Sequence, residues 1–198
     1  MKKLALLALA LTLPLSTFAA KKTGDKLTVI PEKTKITWEG KKKIGGAHQG
    51  TLKIKSGSLE VAKGEIVKGE VQIDMTTLDN TDLGESAMKG KLVGHLKNDD
   101  FFSVDKHPTA TLAIKNVKKD KDDKYTVTGD LTIKGIKKPI TFPAEIHSMD
   151  GEVHATANLT IDRTAYGIKY NSLKFFSTIG DKAIEDTFTV SVDLSAKK

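Results

Sequence analysis

The chain alternates apolar and polar residues with a period of two along most of its length, in eight separate runs. Ile36 and Trp38 alternate with polar Lys35 and Thr37, and His48, Gly50, Leu52 and Ile54 share one parity. Gly69, Val71, Ile73 and Met75 follow, then Ala110, Leu112 and Ile114, then Tyr125, Val127, Gly129, Leu131 and Ile133. The last three runs are Ile140, Phe142, Ala144 and Ile146; Val153, Ala155, Ala157, Leu159 and Ile161; and Phe188, Val190, Val192 and Leu194. Side chains alternate across a strand, so each run predicts a strand with one apolar face. Turn signals separate the runs at 43–46, 63–64, 120–123, 134–139 and 149–151. Short connections favour antiparallel neighbours in sequence order, and one-sided strands in that order can close into a barrel without free edges. A two-sheet sandwich satisfies the same pattern.

Two stretches depart from the alternation. In 81–98, TDLGESAMKGKLVGHLKN, the residues Met88, Leu92 and Leu96 recur every fourth position, which predicts a short or broken helix across one barrel end. Thr81 or Asp82 is the expected cap. Gly84, Gly90 and Gly94 weaken this helix by about 1 kcal/mol each if interior. The helix leads into NDDFFSVDKHP, where Phe101 and Phe102 are expected to seal or line the barrel end, with Asp99, Asp100 and Asp105 as a solvated rim. The second irregular stretch, 166–185, carries another Phe pair in LKFFSTIGD.

The inward parity is not uniformly bulky. Gly50, Gly69, Gly129, Ala110, Ala144, Ala155 and Ala157 sit among Leu, Ile and Val. An eight-stranded barrel is either plugged by its own side chains or able to hold one ligand. Small inward residues favour a hollow, whereas interdigitation of Trp38, Met75, Phe142 and Phe188 would fill it. The pattern alone leaves both open.

Composition narrows the classes. Residues 1–19, MKKLALLALALTLPLSTFA, have the positive start, short apolar run and small-x-small site of a secretory leader, so one mature domain over 20–198 in the periplasm is expected. Cysteine is absent, which removes disulfides and thiolate zinc sites. The net charge is +7, but of 32 basic residues only Arg163 is arginine, and the lysines are dispersed among acids. Bidentate recognition of phosphates and base edges favours Arg, so nucleic acid is not expected as a partner.

The candidate polar chemistry is sparse. His95 and Asp99 are four residues apart and His107 follows, but no ligand-spacing motif supports a metal. No Gly-x-Ser-x-Gly occurs, and no serine has a recognisable partner motif, so an enzyme is not expected. His48 falls on the inward parity and is either a backbone-bonded strand-end residue or a polar anchor for a head group. Arg163 with Asp162 is either a structural pair or a contact for an anionic head group.

The stretches WEGKKKIGGAHQGTLKIKSGSLEV, GEVQIDMTTLDNTDL, GHLKNDDFFSVDKHPTATL, GDLTIKGIKKPITF, IDRTAYGIKY and FFSTIGDKAIEDTFTVSVDL together resemble the YceI-like, lipocalin-like family of secreted bacterial proteins. The resemblance covers about 26–194, with spacing preserved. It implies an extended, all-β, eight-stranded antiparallel lipocalin-like barrel with one short helix closing an end. It also implies an apolar interior that binds a polyisoprenoid or fatty-acid derivative. This chain has Lys97 where the family often has Arg, and His107 and Leu112 where an aromatic is common. A head group held by Lys97 would meet a point charge in place of a bidentate fork. The expected lipid contacts are Ile36, Trp38, His48, Leu52, Val71, Ile73 and Met75 from the first strands, and Met88, Leu92, Leu96, Phe101 and Phe102 from the helical segment. Leu112, Ile114, Leu131, Ile133, Phe142, Ile161, Arg163 and Phe188 complete them. No cofactor or metal is expected. The protein is expected to be a monomer or weak dimer with transient membrane-surface contact, carrying, storing or sensing the lipid. The alternative is a structural or stress-response protein with a filled barrel and a protein partner.

Overall fold

The computed structural model describes residues 24–198, so the expected leader lies outside the described residues. The elements are β1 (Asp25–Val29), β2 (Lys35–Lys42), β3 (Ala47–Ala62), β4 (Glu65–Asn80), α1 (Ala87–Lys97), β5 (Thr109–Lys121), β6 (Lys124–Ile133), β7 (Ile136–Met149), β8 (Glu152–Asp162) and β9 (Ile184–Lys197). Strands β2 to β9 pair antiparallel with their sequence neighbours, and β9 pairs back onto β2. The ring is therefore closed. That excludes the sandwich, which needs two sheets with edges.

The eight predicted strands are β2 to β9, and β1 is an addition. It bonds Ser58–Val61 of β3 and Ala196–Lys197 of β9, the same two partners that flank β2. A 3-10 turn at Pro31–Lys33 interrupts the path between them, so β1 and β2 share one place in the ring. The sequence DKLTV offers only Leu27 and Val29 to the interior, too few for a periodicity signal. Both are almost fully buried. With Leu59, Val153 and Ala196 they pack one end of the barrel solid.

Local turn chemistry sets the register. Lys63-Gly64, Lys134-Gly135 and Asp150-Gly151 all have positive φ at both residues. That is the two-residue hairpin geometry whose twist matches the flanking strands. The expected turn at 134–139 is therefore only two residues long. Ile136 already begins β7, and Pro139 sits inside it opposite Asp130.

Helix α1 is continuous despite Gly90 and Gly94, and its cap is Ser86, whose Oγ accepts from the Lys89 amide at 3.3 Å. Neither Thr81 nor Asp82 caps it. Lys97 Nζ donates to the Thr76 carbonyl at 2.7 Å, and Lys89 pairs with Asp79 at 3.1 Å, so two lysines pin the helix to β4.

Inward glycines have a different meaning from inward alanines. A Cβ at Gly129 would run into the Ala113 carbonyl, beside the register shift between Ile114 and Asn116 of β5. At Gly69 it would meet Leu59 Cδ2 at 2.7 Å, and at Gly50 the Asp79 carbonyl and the Trp38 indole. These three glycines permit close strand approach and the seat of Trp38, and create no internal space. The expectation that they hollow the barrel is thereby corrected. Ala110, Ala144, Ala155 and Ala157 do line a hollow.

Candidate functional site: an apolar cavity with one polar mouth

The hollow is a cavity of about 360 Å³ running along the barrel, lined almost throughout by inward-facing aliphatic and aromatic side chains. Leu52, Ile73, Leu112, Ile114, Val190 and Val192 are on the inner face yet only half buried. On an inner face that residual exposure is exposure to the cavity, so these side chains do not fill the space between them.

The lower end is closed by Leu27, Val29, Leu59 and their neighbours. At the other end the lining turns polar, with Lys41, Lys42, Gly46, His48, His95, Tyr170, Glu185 and Thr187. There β2 ends, β3 and β9 begin, α1 crosses, and the long β8–β9 connection returns. This end is the mouth.

Every expected contact except one lines the cavity. Ile36, Trp38, Leu52, Val71, Ile73 and Met75 do so from β2 to β4, and Leu112, Ile114, Leu131, Ile133, Phe142, Ile161 and Phe188 from the later strands. Leu92 and Leu96 cover the mouth from α1, with buried Phe101 and half-buried Phe102 beneath them. Phe102 stands edge-on to Phe188 at 6.1 Å. The exception is Met88, which is 61% exposed and off the lining. It occupies the first turn of α1, ahead of Leu92 and Leu96 on the same row of side chains, where the helix does not cover the cavity. Asp99, Asp100 and Asp105 are exposed, as the solvated-rim reading requires.

Trp38 lies flat over Gly50, its pairing partner, and its Nε1 donates to the Asp79 carbonyl at 3.1 Å. Its indole is thus fixed on the wall with the polar atom turned to backbone. His48 sits at the mouth with Nδ1 2.8 Å from Asp82 Oδ2. Asp82 also accepts from the Gln49 amide at 2.8 Å and from Asn80 Nδ2 at 2.6 Å. Partial burial pushes the Asp82 pKa up, but the Gln49 amide, His48 and Asn80 outweigh it and hold it at about 2. The imidazole is oriented through Nδ1, and Nε2 remains for a polar group at the mouth.

Arg163 touches the cavity wall but is 4% exposed and committed elsewhere. Nε donates to Glu185 O at 2.8 Å, Nη1 to Ile168 O and Tyr170 O at 3.0 and 2.9 Å, and Nη2 to Ile184 O at 3.1 Å. Asp186 Oδ1 is 3.7 Å from Nη2. Burial lowers the guanidinium pKa while Asp186 and Asp162 raise it. Four of five N–H groups bind main-chain carbonyls, so Arg163 fastens the β8–β9 connection and has no fork left for a head group. Asp162, the expected partner, instead accepts from the Thr164 amide and hydroxyl. Lys97 is likewise spent on Thr76.

The sequence pattern missed Leu78, Tyr170 and Asp82. The β3–β4 pairing shifts between Thr51 and Lys53, which changes parity after Met75 and turns Leu78 and Asn80 inward. Tyr170 forms an aromatic group with His95 and Phe101, at 4.7 and 5.3 Å between centroids, and His95 Nε2 also meets Asp100 at 3.0 Å. This is why His95 does not join Asp99 in a metal site; among the described residues no group of three His, Asp or Glu side chains is placed to hold a metal.

The fold and this chain have known relatives. The crystal structure of Burkholderia cenocepacia BcnA matches with a TM-score of 0.69 at 21% identity, over 85% of this chain and 99% of that one. A polyisoprenoid binding domain from Saccharophagus degradans matches with a TM-score of 0.62 at 14% identity, over 86% and 97%. At such identities the match speaks for the fold. In sequence, a UPF0312 protein of Photorhabdus laumondii is 30% identical over 99 residues, 50% of each chain. Protein YceI of Escherichia coli is 46% identical over 52 residues, 26% of this chain and 27% of that one. The aligned segments thus span half or less of the length of these relatives. The YceI-like domain model matches residues 27–196, nearly all of the described barrel, and the chain belongs to that family.

Proposed function

We propose that the chain binds one long apolar amphiphile, a polyisoprenoid or fatty-acid derivative, inside the barrel, and carries, stores or senses it in the periplasm. The observation that carries this reading is the apolar cavity itself, with half-buried side chains on its inner face and polar groups only at one mouth. Its volume falls in the lower part of the range of small-molecule sites, about 300–1,000 Å³. That the Saccharophagus degradans relative is a polyisoprenoid binding domain supports the same ligand class. Transfer of hydrocarbon from water supplies up to about 0.8 kcal/mol per buried methylene before ordering costs. Length and shape then dominate selection. His48, set by Asp82, is an oriented polar side chain for a head group at the mouth, whereas Arg163 and Lys97 are committed to main-chain carbonyls.

The test is native mass spectrometry of protein released gently from the periplasm, with organic extraction of the same sample. About one amphiphile per chain supports the reading. Protein that arrives empty and takes up no long-chain lipid from vesicles overturns it in favour of a filled barrel with a protein partner. Trp38 fluorescence gives an independent readout, since its indole lies on the cavity wall and should respond to a chain packed against it.

A further inference from the structure

Large apolar side chains left in solvent are not spread evenly over this molecule. Of the eight exposed ones among the described residues, six lie at the mouth end: Ile44, Met88, Ile136, Leu173, Phe175 and Phe176. They come from four separate segments: the β2–β3 turn, the start of α1, the start of β7 and the β8–β9 connection. Those segments touch one another. The Lys43 amide donates to Ala183 O at 2.9 Å, His95 of α1 stacks on Tyr170, and Ile136 Cδ1 lies over Gly167. The six therefore ring one opening. The other two, Val67 near the start of β4 and Met149 at the end of β7, stand beside different turns at the closed end.

The charge around this ring is mainly basic. Most acids here already hold cations: Glu185 with Lys43, Asp79 and Glu85 with Lys89, Asp99 with Lys106 and Asp100 with His95, which leaves Asp105 and Asp181 as exposed acids without an ion-pair partner among the described residues. Lys42, Lys91, Lys137, Lys138 and Lys182 remain exposed between the apolar side chains, and Lys169 lies over the Phe175 ring at 4.9 Å. Apolar side chains on a basic background fit an interface of acyl chains under anionic head groups.

We propose that the mouth end docks onto an anionic lipid bilayer, with the six apolar side chains entering the head-group layer and the lysines facing lipid phosphates. The purpose of docking rests on the proposed lipid cargo, since it brings the cavity opening against the hydrocarbon from which that cargo comes. The docking itself needs no cargo. The failure of one is therefore distinguishable from the failure of the other.

The test is co-flotation of the chain, purified in the form the cell processes it to, with mixed phosphatidylglycerol and phosphatidylcholine vesicles. Pure phosphatidylcholine vesicles are the comparison. The expected result is binding to the anionic vesicles that falls about tenfold or more in K137E/K138E and in raised salt. F175S/F176S should fall at least as far, with unchanged circular dichroism, while V67S/M149S at the closed end should leave binding intact. No flotation, equal binding to both vesicle types, or equal loss in V67S/M149S would overturn the proposal. So would a cross-linked protein partner captured through Phe175 and Phe176 without vesicle binding.

Discussion

The two ends of this barrel are held together by different chemistry. The closed end is apolar and compact: Leu27, Val29, Leu59, Val153 and Ala196 pack against one another under two-residue turns. The mouth is held by polar fasteners, namely Arg163 on four carbonyls, Lys97 on Thr76, Lys89 on Asp79, and Asp82 on the start of β3. A plug of side chains leaves no room and needs none. Fasteners that bind main chain at the rim can hold long connections in place while leaving the space between them empty. The distribution of polar groups thus follows from which end must remain hollow.

Removing a fastener should cost most. Arg163→Met leaves four buried or half-buried carbonyls without a donor, and about 3–5 kcal/mol of stability should be lost in urea unfolding. Arg163→Lys should recover only part, because a single ammonium cannot reproduce the planar fork. Leu27→Ala attacks the other end and should cost about 2–5 kcal/mol by opening a void. If lipid uptake survives in Leu27→Ala and fails in Arg163→Met at matched stability, the division between closure and access holds; the reverse would break it. Gly129→Ala should cost about 1–3 kcal/mol, because the new Cβ meets the β5 backbone. It reports on strand packing, so Ala155→Phe is the better variant for blocking the cavity, and it should lower uptake with the fold retained. The smallest effect is expected at Asp82. Its folded pKa of about 2 lies below its ordinary value of 3.8. Its contribution is present above the ordinary value and is lost as the pH falls towards the depressed one. Asp82→Asn should therefore lower the melting temperature near neutrality, with the difference from the unmutated chain shrinking as the pH falls through that acid window.

Much of this was legible in the sequence because strand periodicity is local. Alternation marked β2 to β9 and nearly all of the cavity wall. What stayed hidden depended on partners distant in sequence or on breaks in the period. β1 has too few inward residues to show a period and is defined only by β3 and β9. Leu78 lies beyond a register shift. Asp82 reads as a helix cap until β3, more than thirty residues earlier, is brought beside it. Arg163 looked like a ligand contact because an isolated cation gives no sign of the carbonyls that will surround it. Met88 followed the spacing of Leu92 and Leu96, but as the second residue of α1 it stands beyond the cavity lining, and where a helix begins relative to the cavity is not written in its period.

The return of β9 onto β2 has a temporal consequence. Last in order among the described strands, β9 bonds β8 on one side and β1 and β2 on the other. A chain that emerges N-terminal end first can form the hairpins β3–β4, β5–β6 and β7–β8 early, since each needs only near neighbours. The ring cannot be completed until β9 arrives. Until then the inner face is an open sheet, with β2 and β8 as unpaired edges and its hydrocarbon-lined surface in water. Closing is therefore a late event, and any factor that delays the arrival of β9 lengthens the time for which the inner face is open to a membrane, a chaperone or another copy.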